Sequence, residues 1–149
     1  MTQIIKDLVT WLRQWFYTKE EIDSIVEGNI VVTDTGWLLL TLNSSDVQQY
    51  SVDAKPRIRL KDGVVWISGA VKKQTSISNQ TSYKVATLPE EYRPTYTHNF
   101  VQQGTGVNRF NLNIKTNGEI IVERYSDNDT TAQTIPNEHW LNLNCSYHI

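Results

Sequence analysis

A single cysteine, Cys145, excludes a disulfide framework and any cysteine-based metal cluster. It sits inside an apolar alternation and reads as a small buried residue. No apolar run approaches the roughly 20 residues of a membrane span, so insertion into a membrane is not expected. Charge of one sign is equally scarce. Residues 1–28 hold three basic and five acidic side chains, and the rest hold eleven of each, which together give the net −2 of the chain. Without a basic stripe, nucleic acid is not an expected partner. The first residues are interrupted by Lys6, Asp7, Arg13 and Gln14 and are followed by no small-residue cleavage site, unlike a signal peptide. Synthesis in a cytoplasm is the expectation.

The motifs of the common enzymes are missing too. There is no glycine-rich phosphate loop, no His-Glu-x-x-His and no Gly-x-Ser-x-Gly elbow. His98, His139 and His148 are scattered, so no metal site and no cofactor is expected. Asp127-Asn128-Asp129 lacks the glycine and distal glutamate of a calcium loop. Glu90 and Glu91 would point apart in an extended chain, and no carboxylate pair for glycoside hydrolysis stands out. The sequons at Asn43, Asn79, Asn128 and Asn144 read as chance in a chain rich in Asn and Thr.

What is present divides the chain in two. Ile5, Leu8, Leu12, Trp15, Ile22 and Val26 occupy the a and d positions of one heptad frame, broken only by Lys19. Val9, Trp11 and Phe16 widen that stripe, and something must cover it. Either the chain's own β-domain covers it, or other copies of the chain do; the second reading is preferred here. Thr18 and Glu21 have capping-box spacing. They predict one helix over residues 4–16 and another over 19–27, stopped at Gly28. Residues 1–28 then form a short helical coiled-coil collar for oligomerisation.

Residues 29–149 change to a twofold period. Strands are predicted at 30–33, 37–42, 50–52, 57–60, 64–71, 83–87, 96–103, 109–115, 119–125 and 140–147. Asp62-Gly63 and Asn117-Gly118 are hairpin signals. Residues 72–82 and 126–136 read as exposed polar loops. The fifteen aromatics (five Trp, seven Tyr, three Phe) can fill a core although only 39% of residues are hydrophobic. About eight to ten short strands without a second helical segment predict a mainly β fold, an antiparallel, jelly-roll-like β-sandwich head.

Polar recognition chemistry remains. Arg109, Asn111, Asn113 and Lys115 alternate along one strand, and Asn142, Asn144 and Ser146 along another. Trp66 and Trp140 fall opposite their strands' aliphatic residues. Amides and charged groups satisfy sugar hydroxyls, and an aromatic face covers the apolar side of a pyranose. Trp66, His98, Arg109, Asn111, Arg124, Asp127 and Trp140 are the candidate saccharide contacts. A solvated sheet face, or a tryptophan packed at a subunit contact, would leave the same pattern.

Four segments together resemble a known family. Phe16–Asp23 resembles the "YTKxEID" segment that introduces a short trimeric coil in tail-fibre and baseplate proteins of tailed bacteriophages. Leu88–Pro94 resembles their "LPxGYRP" turn, with Glu91 where the family often has glycine. Val65–Val71 and Trp140–Asn144 are similar to their head pattern. The resemblance implies a homotrimeric virion component at the tail tip. Its implied role is non-catalytic attachment to host cell-surface polysaccharide, beside other tail or baseplate proteins. A structural baseplate or decoration protein without glycan binding is the alternative, and a glycan depolymerase ranks behind both.

The collar reading predicts a trimer by light scattering for the full chain and loss of that state for a chain beginning at Asn29. A monomer in both cases would return the heptad face to the chain's own β-domain.

Overall fold

The computed structural model describes residues 34–43, 46–78, 82–126 and 134–149. The collar expected over 1–28, the strand expected at 30–33 and Asp127 lie outside the described residues. Among the described residues, eleven strands run in chain order. They are β1 (Leu38–Leu39), β2 (Val47–Gln49), β3 (Arg57–Lys61), β4 (Val64–Ser68), β5 (Ala70–Lys73) and β6 (Tyr83–Thr87). Then follow β7 (His98–Gln103), β8 (Arg109–Ile114), β9 (Glu119–Ser126), β10 (Trp140–Asn142) and β11 (Cys145–His148). They form three antiparallel sheets, β1-β3-β4-β11, β10-β5-β2 and β6-β9-β8-β7. The mainly β, antiparallel expectation holds, with three sheets in place of the two of a simple sandwich.

Both hairpin signals act. Asp62 (φ 51°) and Gly63 (φ 74°) make a two-residue turn with both residues left-handed, the turn whose twist suits a hairpin. It pairs Lys61 with Val64, Arg59 with Trp66 and Arg57 with Ser68. Asn117-Gly118 closes β8 onto β9 through a slightly longer turn. Gly118 takes φ 86°, and the Asn117 side chain accepts from the Glu119 amide at 3.1 Å. In the Leu88–Pro94 turn, Glu91 lies inside a 3₁₀ turn, Glu90–Tyr92. Its φ is not among the positive ones, so glutamate fits where the resembled turn carries glycine.

The segments predicted as single strands at 64–71 and 140–147 are each bent into two. The register never slips: Val64 pairs His148, Ile67 pairs Cys145, Ala70 pairs Asn142 and Lys72 pairs Trp140. One long ladder therefore serves two sheets and turns a corner at Gly69. There Gly69 has φ 119°, and the Leu143 amide donates to its carbonyl at 2.9 Å. The Asn144 side chain accepts from the Gly69 amide at 2.8 Å. A Cβ at this position would stand 2.5 Å from the Lys55 carbonyl oxygen and 2.8 Å from Pro56 Cα. Glycine is the residue that permits both the dihedral and the approach.

Other expectations need correcting. Of 37–42, only Leu38–Leu39 is strand. It is an edge strand, so Trp37, Leu38 and Leu39 are exposed while Leu40 is buried. Residues 50–52 lie outside any strand and lead into a turn at 53–54, with the strand placed just before them at β2. Lys72 and Lys73 belong to β5 rather than to an exposed loop. Lys73 is buried because its ammonium reaches Asp46 at 2.5 Å, bonds Thr75 and lies 5.0 Å over the Tyr83 ring. Ile77 and Ile135, from the two loops, exchange backbone hydrogen bonds at 2.9 Å and are buried. Asn113, expected on a solvated face, is buried as well.

One apolar cluster joins the three sheets. Val65 and Ile67 come from the first, Val71 and Leu141 from the second, and Phe110, Leu112, Ile120 and Val122 from the third. Tyr147 ties the 3₁₀ turn to this cluster by donating its hydroxyl to the Tyr92 carbonyl at 2.6 Å.

Gly69→Ala is expected to lower unfolding stability by about 3 kcal/mol, since both backbone strain and a backbone clash must be relieved. Gly36→Ala, also left-handed but in open space, should cost about 1 kcal/mol. Denaturant titration of the two variants checks the difference.

Candidate functional site

The outward face of the first sheet is built by parity. Ile58, Leu60, Val65 and Ile67 point into the core, so Arg57, Arg59 and Lys61 of β3 and Trp66 and Ser68 of β4 point away from it. The hairpin sets Arg59 directly opposite Trp66, and the long ladder sets Trp66 opposite Ser146. Trp37, just before β1, joins the row from the other side. Trp37 is 42% and Trp66 47% exposed, an unusual surplus of indole on one face for side chains of that size.

Two hollows meet at this pair of rings. One, of about 390 Å³, is lined by Trp37, Trp66, Ile67, Ser68, Asn144, Cys145 and Ser146. The other, of about 280 Å³, is lined by Trp37, Arg59, Lys61 and Trp66. Together they make an open groove with an aromatic floor and hydroxyl, amide and cationic groups at its margins. Such a set stacks and hydrogen-bonds. Burial pushes the Cys145 thiol up to about 12, which favours the protonated thiol at neutral pH.

Charges hold the groove's shape. Arg59 forks onto Asp34, with Nε–Oδ1 at 2.8 Å and a guanidinium nitrogen at 2.5 Å from Oδ2. Asp34 also accepts from the Gly36 amide at 2.9 Å. The Arg59 bonds first, and then that amide, hold the Asp34 carboxyl well below the usual carboxylate range. Arg57 places its guanidinium 4.6 Å from the Trp37 ring centroid, a cation–π contact that orients the indole.

The residues expected to contact saccharide do not gather here. Trp66 lies at the centre of the groove. Trp140 lies on the second sheet beyond the Gly69 corner, its ring 6.4 Å from that of Tyr50. His98 is half-buried among aromatics, 5.2 Å from Tyr147 and 6.1 Å from Phe100 between centroids. Arg109 lines a separate hollow of about 390 Å³ with Val101, Gln102, Gln103, Gly106 and Val107. Asn111 sits mid-sheet between Val101 and Glu123. Arg124 is exposed at a bulge of β9 with φ 56°. The side chains not foreseen are Trp37, Arg57, Arg59 and Lys61. The last three are readable from the Asp-Gly turn, whose two-residue loop places Arg59 across from Trp66. Trp37 carries no such local signal. Among the described residues no cluster of three or more His, Cys, Asp and Glu could hold a metal ion.

Asp34, Asp46 and Glu119 are all held below the usual carboxylate range, chiefly by Arg59, Lys73 and Asn117 respectively. In the unfolded chain each returns to a value near pH ~4. Below that value the unfolded chain binds more protons than the folded one, so stability falls with falling pH until the folded carboxylates themselves protonate. Thermal melts are expected to be level in this respect above pH ~4 and to decline below it. Asp34→Asn and Asp46→Asn should each flatten that acid limb.

No protein-family model and no curated protein matches the chain. Solved structures do. The head domain of phage bIL170, studied among the receptor-binding domains of lactococcal phages, is similar with a TM-score of 0.53 and 13% identity, over 76% of this chain and 97% of that one. The receptor-binding protein of Listeria phage PSA is similar with a TM-score of 0.55 and 14% identity, over 99% of this chain and 86% of that one. At such identities the likeness is one of fold, and the mainly β, antiparallel fold of this chain is the one these phage receptor-binding proteins carry.

Proposed function

We propose that this chain is the receptor-binding head of a tailed phage, carried at the tail tip, and that it attaches the virion to host cell-surface polysaccharide without cleaving it. The observation that carries the saccharide part is the two exposed indoles of Trp37 and Trp66, which line the same hollows. They are ringed by Ser68, Asn144 and Ser146. The fold likeness to two phage receptor-binding proteins supports the attachment role. Three copies, joined through the heptad face of Ile5, Leu8, Leu12, Trp15, Ile22 and Val26, would let weak sites act together. Trp66 is the central contact of this reading; His98, Arg109, Asn111, Arg124, Asp127 and Trp140 have secondary roles at most.

A structural baseplate role is the second reading. It is favoured by Val101 and Val107, 73% and 62% exposed, which with Arg109 line a hollow suited to a neighbouring protein.

Binding of the full chain to envelope polysaccharides from a panel of hosts tests the proposal. Trp66→Ala is expected to weaken binding at least about tenfold, ~1.4 kcal/mol, while Trp140→Ala should change it by less than about twofold. No reducing ends should appear. A chain that binds no envelope polysaccharide but captures other tail components would establish the structural role instead.

A further inference from the structure

The groove carries more positive charge than a neutral sugar needs. Arg57, Arg59 and Lys61 alternate along β3 on its outward face, three of the eleven basic side chains that residues 29–149 set against eleven acidic ones. Arg59 is committed to Asp34 through two hydrogen bonds. Arg57 and Lys61 make no ion pair among the described residues, and both are exposed. The Arg57 guanidinium lies 4.6 Å from the Trp37 ring centroid, and a guanidinium held by an aromatic ring can also fork onto an anion.

The two cations stand four residues apart on one strand, roughly 13 Å at ~3.3 Å per residue. Trp66 sits between them, across from Arg59. Resting on the saccharide reading above, we propose that the groove selects an acidic polysaccharide. The polymer lies along β3, one pyranose stacks on the tryptophans, and anionic substituents on units to either side meet Arg57 and Lys61. The substituent is a phosphate or a carboxylate, the oxyanions that a guanidinium fork fits. Asp34 serves as the positioning residue that fixes Arg59, and its backbone pairs with that of Lys61 at one end of the row.

The test uses the full chain and matched polymers. These are a phosphorylated mannan and the same mannan with its phosphate removed, polygalacturonate and its methyl ester, and single-stranded oligothymidylate. Titration calorimetry at low and high salt gives the affinities. One acidic polymer should bind at least about tenfold tighter than its neutral counterpart, and the ratio should shrink with salt. Which pair shows the ratio tells phosphate from carboxylate. Arg57→Gln/Lys61→Gln should bring the ratio close to one, and Lys61→Gln alone should lower it in part. Lys115→Gln, which removes an equal charge from the β8–β9 turn, should leave it as it was. Thermal melts confirm that each variant is folded.

Equal affinity for acidic and neutral forms overturns the charge selection and leaves the attachment reading in place. A ratio that survives the double variant does the same. Oligothymidylate bound as tightly as the acidic saccharides would mark a general polyanion surface and also overturn it. Failure to bind any of these polymers or any host envelope polysaccharide overturns both readings.

Discussion

The architecture depends on the corner at Gly69. A ladder that runs in one register from Val64–His148 to Lys72–Trp140 would, if straight, form one extended ribbon with two solvated ends. The left-handed backbone at Gly69, packed on the Lys55 carbonyl without room for a Cβ, lets the ribbon turn. Its first half takes β3 as neighbour and its second half takes β2. Val65, Val71 and Leu143 then face a common interior, where burial of aliphatic surface is the main favourable term.

The same corner sets the candidate site apart from the rest of the surface. Ahead of it, β3, β4 and β11 stay in one plane. Val65 and Ile67 anchor β4 in the core, so the backbone that carries Trp66 is fixed while its indole stands on the opposite face. The Asp34–Arg59 fork adds a second constraint by holding the cation that stands opposite Trp66. Past the corner, Lys73 shows the opposite use of charge. It is buried against Asp46, Thr75 and the Tyr83 ring, where its partners compensate for lost hydration.

How much of this could be read along the chain depends on the range of the interaction concerned. The Asp62-Gly63 turn fixes its own geometry within four residues, and the register of β3 against β4 follows from it. Arg59 opposite Trp66 was therefore legible in advance. The alternation of Val65 and Ile67 against Trp66 and Ser68 correctly separated core from surface. Lys73 read as loop because two adjacent lysines in a polar stretch carry no local sign of a distant acid. Trp66 and Trp140 looked equivalent because each stands opposite aliphatic neighbours; a bend that they do not themselves encode puts them on different sheets.

By itself the sequence determined the class of the described domain, two of its hairpins, most of its strands and most of the faces that are buried. Those follow from dihedral preferences and from the period of apolar residues, both of which act within a few positions. Tertiary structure alone decided that three sheets form and that Trp37 comes to line the same hollow as Trp66, Arg59 and Lys61. These rest on pairings between segments distant in sequence, such as β1 with β3 and β4 with β11. No local preference specifies such pairings; they are settled only when the whole apolar surface is buried at once.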